Sequence, residues 1–361
     1  MSADLSNTGL LLRHPPKQDR SENTNRHGRE LLLKILLVFG CCLWIELALF
    51  KYLPDMGTAV YQNGISPLTN FATFEDTYIS SNSVHSARFL GNHLLFDLAK
   101  LLAPYIHSVD IRCHPLRIAA ALLTPMYFII GVLPIFFAAG KILNWRIFLA
   151  GYAALFASGM YIFYPCDAPS LAVFSLGLFL LLQGRLPGVL LCLVVMTLFR
   201  ESAFHLVVVT AMWALVCRRG TVMGHRALWV MVMALVFALE YKIIRIYFPG
   251  PLTGSGNLIL TSEIFTGTGL LSFTSLATLP LAFLFPLVCL CLRVPGQGNA
   301  ELDKFFLLNC LAFPFWLLFY RMFGGNITEF RMLWPVLLPL VYGMALMARS
   351  PEKSDNMKVE L

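Results

Sequence analysis

Charged residues are scarce in this chain. Asp, Glu, Lys and Arg make up 13% of its 361 residues, whereas a soluble domain typically carries about 25%. Hydrophobic residues make up 58% and occur in long runs, and no stretch between those runs is long enough for a sizeable soluble domain. The composition therefore predicts an all-α, polytopic integral membrane protein whose apolar runs cross the bilayer as helices.

Two further absences narrow the function. The net charge of +7 does not indicate nucleic-acid binding, because no basic stripe is interleaved with aromatic residues. The positive charge lies in short loops and in the N-terminal tail, as the positive-inside rule predicts for a membrane protein. The nine cysteines show no CxxC spacing, and most lie in apolar runs, so no metal site is indicated. Cys113 and Cys166 fall near one face and pair only if that face is oxidising.

The apolar runs divide the chain into one transmembrane domain with a tail at each end. Residues 1–30 predict a disordered, basic cytoplasmic tail, 31–348 the membrane domain, and 349–361 a second cytoplasmic tail. About ten spans are predicted, at 31–52, 117–139, 146–164, 169–184, 187–199, 203–217, 227–248, 274–292, 305–321 and 333–348.

The charges of the short loops predict the orientation. With ten spans both termini lie on one side, and Lys and Arg are concentrated in the loops of that side, which the positive-inside rule makes cytoplasmic. The basic residues concerned are Lys141, Arg146, Arg185, Arg218, Arg219, Arg226, Arg293, Lys304, Arg349 and Lys353. We therefore expect a multi-pass protein of the plasma membrane (in a bacterium, the inner membrane).

The predicted spans 187–199 and 203–217 are too short, because a full span needs about 20 residues. Arg200 and Glu201 lie between them. One alternative is a single long tilted helix over 187–217, which would place Arg200 in the middle of the bilayer. We favour two short helices that meet at a water-filled recess, where irregular backbone is tolerated.

The first external loop, 53–116, is the longest. Glu75 and Asp76 lie in it, and a helical period follows over 84–103. That period predicts an interfacial helix with an apolar stripe of Ala87, Leu90, Leu94, Leu95, Leu98, Leu101 and Leu102 and a polar edge of His85, Arg88 and Asn92.

The remaining charges collect at the non-cytoplasmic side, which we call the mixed-charge face. Its members are Glu75, Asp76, Asp167, Arg200, Glu201, Arg321, Glu329 and Arg331. Each also has a structural explanation: Glu75 and Asp76 as solvated charge, Asp167 as a helix N-cap, Arg200 and Glu201 as an ion pair, and Arg321, Glu329 and Arg331 as headgroup contacts. Membrane-edge charge is nevertheless a functional hypothesis by default.

Two more groups have simple structural interpretations. Glu240, Lys242 and Arg245 are expected to anchor the end of their span at the headgroups. His205, one helical turn beyond Glu201, is expected to be a satisfied histidine between helices.

In layout the chain resembles the GT-C class of polytopic glycosyltransferases. The corresponding elements are the loop 53–116, its helix 84–103 and the acid pair Glu75-Asp76. Three short segments are also similar to bacterial membrane proteins of that architecture: DAPSLAVF from Asp167, FRESA from Phe199 and EFRMLWP from Glu329.

The resemblance implies transfer of a sugar from a polyprenyl-phosphate donor to a glycan or lipid acceptor at the non-cytoplasmic face. Asp76 or Glu75 would act as base or hold a divalent cation such as Mg²⁺ or Mn²⁺. Arg200 and Arg331 would bind the donor phosphate, and Asp167 and Glu201 would position the acceptor or the arginine.

Four alternatives remain open, one of which is a non-enzymatic assembly scaffold. A polysaccharide polymerase or ligase uses prenyl-linked sugars at the same face. A membrane acyltransferase would need a catalytic histidine, for which His85, His93 and His205 are available. A secondary transporter would show two related halves, and the sequence has no internal repeat.

Overall fold

The protein is all-helical in a computed structural model that describes residues 20–52, 88–106, 115–137, 143–158, 165–216, 223–248, 300–322 and 333–347, with single positions 284, 287 and 291. Within these ranges no strand occurs. The helices are α1 (Arg20–Tyr52), α2 (Phe89–Leu102), α3 (Pro115–Val132), α4 (Pro134–Phe137), α5 (Trp145–Ser158), α6 (Asp167–Leu182), α7 (Leu186–Phe199), α8 (Phe204–Val216), α9 (Met223–Tyr247), α10 (Ala300–Met322) and α11 (Trp334–Met347).

A helix lies in every predicted span except 274–292, which falls outside the described residues apart from three positions. Two segments within these ranges, Pro115–Phe137 and His225–Tyr247, are long and apolar enough by themselves to cross a membrane. The all-α class is thereby confirmed, while the count of ten spans stays a prediction.

Helix α1 begins well before its predicted start. The composition of residues 20–30 predicted disorder. In the structure these residues are helical and form the first part of α1, which runs from Arg20 to Tyr52. Extending an existing helix adds one hydrogen bond for each residue fixed, and the ion pair between Glu30 and Lys34 (3.3 Å) supports this part of α1. The Lys34 ammonium also lies 5.6 Å from the ring centre of Trp145, which joins α1 to α5.

Helix α6 is the centre of the bundle. It packs against α3, α7, α8 and α11, and most of its residues are buried on every side. Its sequence explains this position, since a helix that is apolar all round is stable only where other helices or lipid surround it. The first residue of this central helix is Asp167.

Side-chain hydrogen bonds tie α6 to two neighbours. Helix α3 ends at Val132, just before Pro134, which has no backbone N–H to continue the ladder. The Ser175 hydroxyl donates to the Gly131 carbonyl there (2.7 Å), and the Tyr342 hydroxyl of α11 donates to the Ser175 carbonyl (2.7 Å). The hydroxyl groups of Ser175 and Tyr342 are thus satisfied by backbone carbonyls of neighbouring helices.

Helices α6 and α7 form an antiparallel hairpin around Gly184. Gly184 has φ +72°, and the N–H groups of Gly184 and Arg185 donate to the carbonyls of Leu181 and Leu180. This is the Schellman arrangement that ends a helix with glycine in the left-handed region.

The second antiparallel pair is α5 and α11. The Trp334 indole donates to the Ser158 hydroxyl at one end (3.2 Å), and the Asn144 N–H donates to the Ala345 carbonyl at the other (2.8 Å). The start of α11 therefore lies beside the end of α5.

Replacing Gly131 with alanine is expected to destabilise the protein. A β-carbon at Gly131 would overlap the Tyr152 hydroxyl, and Tyr152 is fully buried among aromatic rings, so it has little room to move. Overpacking of this kind costs about 1–3 kcal/mol. Thermal unfolding in detergent measures the loss, and Gly40→Ala in α1, where a β-carbon meets nothing within 4 Å, is the matched control. Equal unfolding temperatures for the two variants would contradict the packing argument.

Candidate functional site

The chain reverses direction between α7 and α8. A β-carbon built on Gly177 of α6 would lie 3.3 Å from Cys192 Cβ in α7 and 3.1 Å from Leu206 Cδ2 in α8. Cys192 and Leu206 are 14 positions apart, so in one continuous helix they would be about 21 Å apart. The single long helix over 187–217 is therefore wrong, and the two short helices expected from the sequence are present.

The chain changes direction at Arg200. Its backbone is extended (φ −161°, ψ 141°), which ends α7, and a single 3-10 turn over Glu201–Ala203 leads into α8. The Arg200 N–H still donates to the Met196 carbonyl (2.8 Å), and its carbonyl accepts from the Ala203 N–H (3.1 Å). Both backbone groups of Arg200 are thus satisfied at a point where the helix stops.

A buried ion pair joins this reversal to the start of α6. Arg200 Nη1 donates to Asp167 Oδ1, and the two residues are only 7% and 3% exposed. The Cys166 thiol lies 3.5 Å from the same carboxylate oxygen. Asp167 and Arg200, both predicted at the mixed-charge face, are therefore in direct contact.

Asp167 does not have the N-cap role that was its structural explanation from the sequence. The N-cap of α6 is Cys166, and no side chain caps the helix by hydrogen bonding. Asp167 is instead the first helical residue, where the helix dipole favours a negative charge, and its carboxylate is directed at Arg200. Asp167 therefore positions the guanidinium.

Helix α2 packs directly against the turn that carries Asp167. A β-carbon on Gly91 would come within 2.8 Å of the Pro165 carbonyl oxygen and 2.9 Å of Cys166 Cα. These are backbone atoms that cannot rotate away, so only glycine permits this approach. The predicted helix 84–103 is present as Phe89–Leu102 and lies next to the ion pair.

The buried face of α2 differs from the predicted stripe. Asn92, assigned to the polar edge, is buried, whereas Leu94 and Leu101 of the stripe are exposed. The side facing the bundle is formed by Gly91, Asn92, Leu95, Phe96 and Ala99. The exposed leucines on the outer side of α2 favour an apolar environment there. The more apolar side of α2 is therefore not a guide to which side faces the bundle.

His205 lies one turn beyond the reversal in an aromatic setting. Its Nδ1 is 2.8 Å from the Ser202 carbonyl, and its ring centre is 4.1 Å from that of Phe204 and 4.6 Å from that of Trp316 in α10. Because a carbonyl only accepts, Nδ1 carries a proton. The contacts agree with the expectation of a satisfied histidine between helices.

Glu240 is a charged residue near the reversal that sequence reasoning assigned to headgroup anchoring. It faces the bundle instead, in the same inward stripe of α9 as Met233, Phe237 and Ile244. Its carboxyl group is within hydrogen-bonding reach of the Thr197 hydroxyl in α7, one turn before Arg200. The spacing of seven from Met233 to Glu240 was the signal that could have placed it on the inner face.

The other predicted site residues are placed only in part. Arg88 directly precedes α2 and is half-buried. Glu201 is in the 3-10 turn and Arg321 is in α10, and for these two residues the structure describes the backbone only. The remaining predicted site residues fall outside the described ranges, as does Cys113: Glu75, Asp76, His85, Glu329 and Arg331.

A metal site is not formed by the residues that the structure describes. No three His, Cys, Asp or Glu side chains of these ranges are grouped as a metal ion would require. Glu75 and Asp76, predicted to hold Mg²⁺ or Mn²⁺, lie outside the same ranges.

Comparison of the chain with protein-family models, with curated proteins and with solved structures finds no match.

The ion pair predicts a characteristic double-variant result. Asp167→Leu leaves a buried guanidinium without its carboxylate, and Arg200→Met leaves a buried carboxylate without its arginine, so each should cost about 3–5 kcal/mol. The double variant replaces the pair by apolar side chains and should cost less than the sum of the two, and even less than either alone. Unfolding of all four proteins in one detergent measures the coupling. Additive costs would mean that the two residues do not depend on each other.

Proposed function

We propose that the protein is a polytopic membrane glycosyltransferase that moves a sugar from a polyprenyl-phosphate donor to an acceptor at the non-cytoplasmic face. The observation that carries this proposal is the buried ion pair between Asp167 and Arg200 at the reversal of two short helices. Three features support it: the apolar outer surface, the depth of the pair and the chemistry of a fixed guanidinium.

The outer surface suits lipid better than water. Only 11% of the apolar stretch of His225–Tyr247 is buried, and α1 exposes Leu36, Phe39 and Leu47 by more than half. An apolar core helix of a soluble protein would be mostly buried, since exposed apolar surface costs roughly 25 cal/mol per Å² in water. In hydrocarbon the same surface carries no such cost, which supports membrane helices.

The lengths of the helices support a site below the membrane surface. Helix α7 has 14 residues and α8 has 13, so each extends about 20 Å, whereas the hydrocarbon core is about 30 Å thick. Arg185 on the α6–α7 turn is exposed. In the orientation that we propose, this turn is in the cytoplasmic headgroups, and the ion pair would then be several ångströms inside the opposite surface. Extended backbone at that depth is stable where it lines a cavity, which fits the predicted recess.

A guanidinium held by a carboxylate is suited to a phosphate ligand. Asp167 fixes one nitrogen of Arg200, and the planar fork of an arginine matches phosphate oxygens in two-point contacts. In sugar transfer the phosphate leaves with negative charge, and a cation held in advance stabilises that charge in the transition state. Arg200 is therefore assigned to the donor phosphate, with Arg331 as its partner and Asp167 as the positioning residue.

The rest of the reaction rests on the resemblance. The acceptor hydroxyl attacks the anomeric carbon of the sugar, a new C–O bond forms, and the bond from that carbon to the phosphate oxygen breaks. Asp76 or Glu75 takes the hydroxyl proton, and Glu201 positions the acceptor. Arg321, Glu329, His85 and Arg88 complete the polar lining, and the prenyl chain lies along the lipid-facing helices.

The proposal predicts that transfer depends on Arg200 and not on another arginine of the same hairpin. In nanodiscs, wild-type protein should transfer label from one of a panel of radiolabelled polyprenyl-phosphate sugars, tested with and without Mg²⁺ or Mn²⁺. Arg200→Lys keeps the charge but loses the fork, so we expect a loss of about 100-fold in rate. Arg185→Lys on the exposed α6–α7 turn is the matched control and should act as wild type.

The first loop is tested in the same assay. Loss of transfer in the double variant Glu75→Ala/Asp76→Ala, with folding intact, would support the acid in that loop. Retained transfer would keep the enzyme class and move the base elsewhere. Long polymer instead of a single added sugar would favour a polymerase or ligase. If the wild-type protein transfers sugar from no donor of the panel and binds none of them, the proposal is overturned in favour of an acyltransferase or a transporter.

A further inference from the structure

Glu240 and Thr197 form a polar position between α7 and α9. Helix α9 is apolar on its outer side, where Leu239 and Ile243 are exposed, yet Glu240 turns inward and meets Thr197. A carboxyl group on an apolar helix at membrane depth is expensive and is expected to serve a function.

The contacts around Glu240 place it beside the reversal at Arg200. Phe237, one turn before Glu240, has its ring centre 6.4 Å from that of Phe204, the first residue of α8. Thr197 lies three residues before Arg200 in α7, a rise of about 4.5 Å. Helix α9 thus lies next to both α7 and α8 here, and Glu240 is close to the end of α7 that carries Arg200.

The hydrogen-bonding capacity of Glu240 is incompletely used. The Thr197 hydroxyl has a single proton, which it donates to the Leu193 carbonyl at 2.8 Å, so it does not satisfy Glu240 as a donor. Among the described residues the buried oxygen Oε2 of Glu240 has no hydrogen-bond partner. A buried acceptor without a donor costs free energy, and a ligand hydroxyl would remove that cost.

We propose that Glu240 and Thr197 form a binding subsite for the hydroxyl headgroup of a neutral lipid, so that the acceptor of the proposed transfer reaches the site through the membrane. This inference rests on the proposed function for its place in a reaction, but the binding itself does not need the donor. The hydroxyl donates to Oε2 of Glu240, and no proton is transferred there. Glu240 is a positioning residue.

Different groups on α7 and α9 explain how two lipids are told apart. Arg200 attracts an anionic phosphate, whereas the carboxyl group of Glu240 offers an acceptor oxygen to a hydroxyl. The exposed neighbours Leu239 and Ile243 leave the α9 side open to acyl chains, which favours a lipid over a water-soluble acceptor.

The subsite is tested with dioleoylglycerol that carries a photoreactive diazirine on one acyl chain. Two comparison probes have the same chains: one with the hydroxyl methylated, and one a phosphatidic acid. Protein in nanodiscs is irradiated without any sugar donor, and label on the α7 and α9 peptides is measured by mass spectrometry. We expect the hydroxyl probe to label these peptides about fivefold more than either comparison probe, the factor for one net hydrogen bond.

Variants assign the label to Glu240. Glu240→Met keeps the size and should lose the hydroxyl preference, whereas Glu240→Gln keeps an acceptor oxygen and should retain most of it. Glu46→Met is the matched control, because Glu46 in α1 also has a buried carboxylate oxygen without a partner among the described residues. It should label as wild type.

Several results would overturn the inference. Equal labelling by the hydroxyl and methyl-ether probes in wild type would do so even where Glu240→Met fails to fold. The same holds for an unchanged preference in folded Glu240→Met, or an equal loss in Glu46→Met. Competition by soluble maltose but not by unlabelled dioleoylglycerol would assign the hydroxyl to a water-soluble acceptor.

The outcome also separates this inference from the proposed function. Hydroxyl-dependent label with no sugar transfer in any assay would leave the lipid subsite and remove the glycosyltransferase. Sugar transfer with no hydroxyl preference would do the reverse.

Discussion

The contact between Asp167 and Arg200 is the constraint on which the arrangement of the central helices depends. A charge at the end of an apolar helix must either reach water or find a partner, because a buried ion without one costs several kcal/mol. Arg200 finds its partner at the first residue of α6, which fixes one end of the α6–α7 hairpin. The glycine turn at Gly184 fixes the other end, so the register of the two helices is set twice.

Three ionisable groups meet near this end of the hairpin. The carboxylate of Asp167 balances Arg200 directly, and Glu240 approaches from α9 through Thr197. Two acids and one arginine favour a ligand set in which an anion meets the arginine and a hydrogen-bond donor meets the remaining acid. The proposed donor phosphate and acceptor hydroxyl would meet both requirements together.

The sequence predicted much of this architecture. Apolar runs located the helices, and the short runs on either side of Arg200 predicted the reversal, because neither is long enough to cross a bilayer. Placing Asp167 and Arg200 on one face followed from the alternation of spans. Their direct contact could not be predicted in this way. Several charges lie on that face, and the packing of α2, α6 and α7 decides which of them form a pair. Glu75 and Asp76 lie outside the described residues, so their role is still a prediction from resemblance.

The position of Glu240 and the buried face of α2 were missed for a common physical reason. In a soluble helix the apolar side faces the core, so the polar side indicates solvent. Next to lipid that contrast fails, because apolar side chains such as Leu101 and Leu239 are stable on the outside. Small or polar residues such as Gly91 and Asn92 then form the inner side. A polar residue in the inner stripe of an otherwise apolar helix is therefore the better signal for a site. In α9 both the buried Arg226 and Glu240 satisfy it, and Glu240 is the one that lies near Thr197 and the reversal at Arg200.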